Sequence, residues 1–286
     1  MALVYLNGQF CAPEQAAISP MDRGFLFGDG LYEVVPSYNG QFVGFTLHIH
    51  RLNNGLAELN IAGTPTLEEW QNICRRVLDS HEEANLGLYI QVTRGVVAQR
   101  GHAYPSATVK PTVFVYAFPI PTPRSAEITS CTPYRVVTQQ DQRWQRCDVK
   151  TTSLLGNVMH YQHGREQHSD ETLLFNPRGQ LTEASTSNVF VLCGETVYTA
   201  PLDNQLLPGI TRHILLDLLH ADKKFKVIEQ AVDKAQLAAA DEVWITSSSR
   251  EVVPVISIDG VPVGCGEIGP GWLHAFKLYS QGKFNY

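Results

Sequence analysis

Charge is scarce in this chain of 286 residues: Asp, Glu, Lys and Arg together supply only 17% of it. The balance is acidic, with a net charge of −6, so the chain as a whole does not attract a nucleic-acid backbone, although a local basic pocket could still hold one small anion. No apolar run approaches the roughly 18 residues that a membrane span needs. The start, Met1-Ala2-Leu3-Val4-Tyr5, lacks the basic segment and long apolar stretch of a secretion signal, so none is expected. Cys11, Cys74, Cys131, Cys147, Cys193 and Cys265 are scattered without CxxC spacing, which argues against a zinc ribbon or disulfide scaffold. They read as free thiols, and the expected location is cytoplasmic. Repeats, heptads and low-complexity tracts are missing as well.

What remains is an ordinary globular composition, 44% hydrophobic, long enough for two cores. The few charges suggest surface buried between domains and between subunits. In the first part, Leu3–Asn7 and Gln9-Phe10 around Gly8, and Leu31–Tyr38 and Gln41–Phe45 around Asn39-Gly40, read as hairpins. Leu52, Leu56 and Leu59 recur at helical spacing. A second helix places Leu67, Trp70, Ile73, Cys74, Val77 and Leu78 on one face, with Thr66 as its N-cap. Strands follow at Leu88–Val92 and Thr112–Phe118.

Pro119, Pro121 and Pro123 then interrupt the pattern and suit an extended linker. The expected organisation is an α/β (α+β) protein with domains at 1–118 and 126–286, joined by 119–125. The second mixes strands (Tyr134–Thr138, Thr172–Phe175, Asn188–Leu192, Glu242–Thr246) with helices (Leu154–Gln167, Thr211–Leu219).

Four groups of residues could carry chemistry. Pro208-Gly209-Ile210-Thr211-Arg212 opens a helix whose first N–H groups could seat a phosphate, or it is an ordinary junction. Arg51, beside His48 and His50, is either a bidentate phosphate ligand or a solvated arginine on a packed stem. Lys150 lies near Arg143 and Arg146, and crowded cations favour the free amine that attacks carbonyls. Glu183 sits among small polar residues, Thr182 to Asn188, as a functional acid or a surface acid beside a turn. A lysine, an acid for a pyridine nitrogen and separate anion-binding groups are together what pyridoxal phosphate requires. His160 and His163 stand three apart on a helix but have no third ligand, so a packing role and no metal are expected.

The runs Asp22-Arg23-Gly24, Phe27-Gly28-Asp29-Gly30-Leu31-Tyr32-Glu33, Arg146-Cys147-Asp148-Val149-Lys150, Leu181-Thr182-Glu183 to Phe190, and Leu207 to Arg212 occur in one order across nearly the whole chain. In this the chain resembles the fold-type IV pyridoxal-phosphate enzymes, the class IV aminotransferases, and among them the bacterial D-amino-acid branch. The resemblance implies a two-domain fold with the cofactor between the domains and bound by the C-terminal one. Lys150 would hold it as a Schiff base and carry a 1,3-proton shift. Glu183 would pair with the pyridine nitrogen, and Leu207 would pack on the ring. Arg51, Ile210 and Thr211 would bind the phosphate, with Ser247 and Ser248 closing round it, although the family commonly has threonines there. Tyr32, Arg100 and His102 would trap the substrate carboxylate. The implied reaction passes the amino group of a D-amino acid such as D-alanine to a 2-oxo acid such as 2-oxoglutarate, in a homodimer whose Arg100 and His102 reach the neighbouring subunit's site. An L-branched-chain aminotransferase, with its pockets reversed, or an aminodeoxychorismate lyase would share Lys150, Glu183 and the phosphate seat.

Overall fold

A computed structural model describes residues 2–106 and 108–286. They divide into two compact units, one running up to Thr122 and including Val149–Leu154 and Tyr286, the other comprising Pro123–Asp148 and Leu155–Asn285. This corrects the contiguous split expected from the prolines. Pro119 closes a strand rather than opening a linker, and Val149–Leu154 leave the second unit for the first. The physical reason is burial: Val149 joins the first unit's apolar core.

The first unit contains β1 (Val4–Leu6), β2 (Gln9–Cys11), α1 (Arg23–Phe27), β3 (Gly30–Tyr38), β4 (Gln41–Phe42), α2 (Phe45–Glu58), α3 (Leu67–Leu78), β5 (Asn85–Thr93) and β6 (Thr112–Pro119). Its strands form an antiparallel sheet in the order β2-β1-β6-β5-β3-β4. Both hairpin turns carry two successive positive φ angles, at Asn7-Gly8 and Asn39-Gly40, the backbone that suits the twist of paired strands. The second hairpin is shorter than the sequence suggests, because Phe45 starts α2. On α3, Thr66 accepts from the Glu69 amide while Glu69 bonds back to the Thr66 amide, an exchange worth about 1 kcal/mol. Trp70, Cys74 and Val77 are fully buried beneath it, with Ile49 and Leu52 of α2.

The second unit contains β7 (Tyr134–Gln140), α4 (Leu155–Glu166), β8 (Glu171–Phe175), β9 (Gln180–Ala184), β10 (Asn188–Cys193), β11 (Thr196–Thr199), α5 (Ile210–Asp222), β12 (Lys226–Glu229), β13 (Val232–Asp233), α6 (Lys234–Ala238), β14 (Glu242–Ser247), β15 (Glu251–Ile258), β16 (Val261–Pro262) and α7 (Pro270–Gly282). The sheet order is β12-β11-β10-β14-β15-β7-β8-β9-β13, with β16 on β15. The pairs β11–β12, β7–β15 and β7–β8 are parallel and the remainder antiparallel. Every residue of β8 is buried: Leu173, Leu174 and Phe175 form an apolar run, while Glu171 accepts from the Ser185 and Thr186 hydroxyls and Thr172 donates to the His160 carbonyl. In this unit the sequence alone did not indicate β9, β11, β12, β13, α6, β15, β16 or α7. Among the described residues, no helix is long and apolar enough to cross a membrane.

Candidate active site

Lys150 is positioned by backbone pairing in the first unit. The Tyr32 amide donates to the Lys150 carbonyl (3.0 Å) and the Thr152 amide to the Gly30 carbonyl (2.9 Å), so 150–152 runs antiparallel to the start of β3. Gly28 makes this approach possible. It ends α1 in the left-handed region, at φ 67°, and a Cβ there would collide with Ser153. The ammonium of Lys150 lies 4.2 Å from the Tyr32 ring centroid, and Tyr32 in turn stacks on Tyr89 at 5.6 Å.

One residue further along β3, Glu33 is completely buried. Arg51 of α2 donates from Nε to Glu33 Oε1 and from Nη2 to Oε2, both at 2.8 Å, and His48 Nδ1 lies 2.7 Å from Oε2. Burial alone would raise the Glu33 carboxyl, but the Arg51 guanidinium, with the His48 ring beside it, outweighs it and holds the carboxyl well below its ordinary value. His48 moves down from its usual value because burial outweighs its attraction to Glu33. Neither Glu33 nor His48 was singled out in the sequence. The only signal for them was a glutamate following Tyr32 and a histidine three residues before Arg51 on one helix.

Arg100 and His102 lie in the exposed loop after β5, against α1. The Arg100 guanidinium carbon is 4.6 Å from the Phe27 ring centroid, and the His102 ring is 5.4 Å away. Among the described residues, neither side chain hydrogen-bonds to Tyr32 or Lys150.

The second unit gathers the other candidates at one end of its sheet. Glu183 of β9 accepts from Arg143 Nη1 (2.6 Å), the Leu207 amide (3.1 Å) and Asn188 Nδ2 (3.2 Å). Asn188 also donates to the Leu207 carbonyl (2.8 Å), tying the loop before α5 to the start of β10. Gly209 caps α5 without a side-chain bond, and a Cβ at that position would run into Asn188. The N–H groups of Ile210 and Thr211 therefore open the helix with no intrahelical partner. Thr246 pairs with Asn188 across β14 and β10, which brings Ser247 and the turn containing Ser248 alongside. The Thr246 hydroxyl is buried without a hydrogen-bond partner.

Burial pushes the Glu183 carboxyl up to about 7, because Arg143 offsets the lost hydration only in part. Arg143 is divided: its Nε and Nη2 bind Asp141 at 3.0 and 2.8 Å, which leaves a single bond for Glu183. This corrects the reading of Arg143 and Arg146 as cations crowding Lys150. Arg143 is neutralised by Asp141 and Glu183, and Arg146 by Asp148 at 3.1 Å. Arg212 likewise bonds Glu229 and the Ala200 carbonyl, each at 2.7 Å. His160 bonds Gln139 and the Gln142 amide.

The fold is that of a known structural class. The branched-chain amino acid aminotransferase of Escherichia coli superimposes with a TM-score of 0.89 at 21% identity, over 99% of this chain and 94% of that one. Residues 30–258 match the family model described as amino-transferase class IV, and the chain belongs to that family. Among curated relatives, the D-alanine aminotransferase of Bacillus licheniformis is 39% identical over 93% of this chain and 92% of its own length. That of Staphylococcus haemolyticus is 35% identical over 94% of each.

Proposed function

We propose that this aminotransferase uses pyridoxal phosphate to pass the amino group of a D-amino acid, such as D-alanine, to a 2-oxo acid such as 2-oxoglutarate. The observation that carries the chemistry is Glu183, a wholly buried carboxylate drawn up to about 7. It is a buried carboxyl with only one arginine bond, and the positive charge of a protonated ring nitrogen would complete its support. The bare start of α5 and the unpartnered Thr246 hydroxyl fit a phosphate tail. The choice of donor is supported by full-length similarity to the D-alanine aminotransferases.

When bound, the cofactor supplies an electron sink that lets a substrate α-carbon release its proton. Lys150 Nζ would anchor it covalently and, when free, would accept and redeliver that proton, a transfer worth about 10²–10⁴-fold. Glu183 would hold the ring nitrogen protonated and Leu207 would pack on the ring. Arg51, oriented by Glu33, would bind the phosphate, as would the Ile210 and Thr211 amides, and Ser247 and Ser248 would add donors. Tyr32, Arg100 and His102 receive the substrate carboxylate. The working assembly is a homodimer in which Arg100 and His102 serve the neighbouring site. The strongly exposed Phe25 (77%) and Leu155 (72%) are apolar surface of the kind a subunit interface covers.

Incubation with D-alanine and 2-oxoglutarate should yield pyruvate and glutamate. Absence of turnover with every D-amino acid tried, alongside turnover of L-leucine, would overturn the donor assignment.

A further inference from the structure

The Asp22-Arg23-Gly24 run has no part in the reading above, yet it holds a buried arginine. Arg23 opens α1 and is 4% exposed. Its Nε donates to Asp29 Oδ2 at 2.7 Å. Its two terminal nitrogens turn to three successive carbonyls of the loop after β5: Nη1 to Gly101 (2.6 Å) and Ala103 (3.3 Å), Nη2 to His102 (3.4 Å). Among the described residues, 98–105 make no backbone–backbone hydrogen bond. Arg23 is therefore the main polar tie between an exposed loop and the body of its unit.

The tie is anchored further back. Arg94 Nε meets the same Asp29 oxygen at 2.8 Å and reaches the Leu59 and Asn60 carbonyls at the end of α2. Burial would raise the Asp29 carboxyl, but Arg94 and Arg23 hold it below its ordinary value. The guanidinium of Arg94 also stacks 3.7 Å from the Tyr104 ring centroid, so the loop is gripped a second time beyond residue 103. Phe27, on the same helix as Arg23, has the Arg23 and Arg100 guanidinium carbons 4.8 and 4.6 Å from its centroid, and the His102 ring beside it.

We propose that Arg23 is a specificity-positioning residue, presetting the loop so that Arg100 and His102 meet a carboxylate without having to be ordered by it. This rests on the assignment of that loop to the substrate carboxylate. Preordering lowers the cost of binding, and a reacting group misplaced by about an ångström can lose of order a hundredfold. The amino donor and the 2-oxo acceptor both carry an α-carboxylate, so both depend on the same preset loop.

The test compares wild-type holoenzyme with Arg23→Met, which keeps the packing and removes every donor, and Arg23→Lys, which keeps the charge but not the fork. In Arg23→Met, KM for D-alanine, KM for 2-oxoglutarate and the inhibition constant of propionate should rise together by about tenfold, while kcat stays within about threefold. Cofactor absorbance should be unchanged, and Arg23→Lys should recover part of the loss. A fall in kcat with KM and propionate inhibition unmoved overturns the proposal. Should Arg23→Met fail to fold, Arg23→Lys decides alone, and unchanged KM values there assign Arg23 a purely structural role. Wild-type enzyme inactive on D-amino acids refutes the donor assignment instead, which the variants do not touch.

Discussion

Each unit buries a glutamate hydrogen-bonded to an arginine, Glu33 to Arg51 and Glu183 to Arg143, and the two end in opposite states. Glu33 in the first unit is held well below the ordinary carboxylate range, while Glu183 in the second is raised to about 7. Burial is equally complete for both, so the difference lies in the cations. Arg51 gives Glu33 a two-pronged bond, and His48 adds to it. Arg143 gives Glu183 one bond and turns the rest of its fork to Asp141. A carboxylate taken out of water stays firmly ionised only when opposite charge is concentrated on it. Glu33 is thus a finished ion pair that orients its neighbours, and Glu183 an acid left open to a further cation.

Chemistry separates the units most sharply. Lys150→Ala should lower D-alanine turnover by about 10²–10⁴-fold, with unit stabilities nearly unchanged, as followed by pyruvate formation and thermal unfolding. Retention of activity would remove Lys150 from the reaction.

Glu33→Gln should cost about 3–5 kcal/mol of unfolding free energy, since it strands the largely buried Arg51 guanidinium without an anion. Denaturant titration measures this. The lowered carboxyl of Glu33 contributes stability that is present above its ordinary value of 4.5 and lost as pH falls below it. A neutral variant as stable as wild type at pH 7 would dissolve the contrast between the two acids.

Glu183 has the opposite sign and a smaller effect. Its carboxyl is raised, so the folded cofactor-free protein holds a proton that the unfolded chain releases, and stability declines as pH rises from 4.5 through about 7. The decline should be of order 2–3 kcal/mol, read from melting temperatures across that window, and Glu183→Gln should flatten it. An identical slope in the variant would mean that Arg143 already neutralises Glu183 in full.

Much of the local structure was legible in the residues. The spacing from Leu67 to Leu78 with Thr66 before it describes α3, and Asn39-Gly40 marks its turn, because capping and turn chemistry act within a few residues. The helix start after Gly209 was legible for the same reason. Phe45 was misread as strand because a short apolar run fits either period. Nothing local indicated that Val149–Leu154 leave the unit around them in sequence.

By itself, then, the sequence determined many of the elements, the family and a first set of candidate residues, all of which rest on side-chain chemistry and spacing along the chain. Tertiary structure alone decided what each charge faces: Arg143 turned to acids rather than to Lys150, Glu33 joined to residues 15 and 18 positions away, and Arg23 joined to a loop nearly 80 residues on. The physical reason is that ion pairs and desolvation act through space over a few ångströms, and separation along the chain carries no record of that distance.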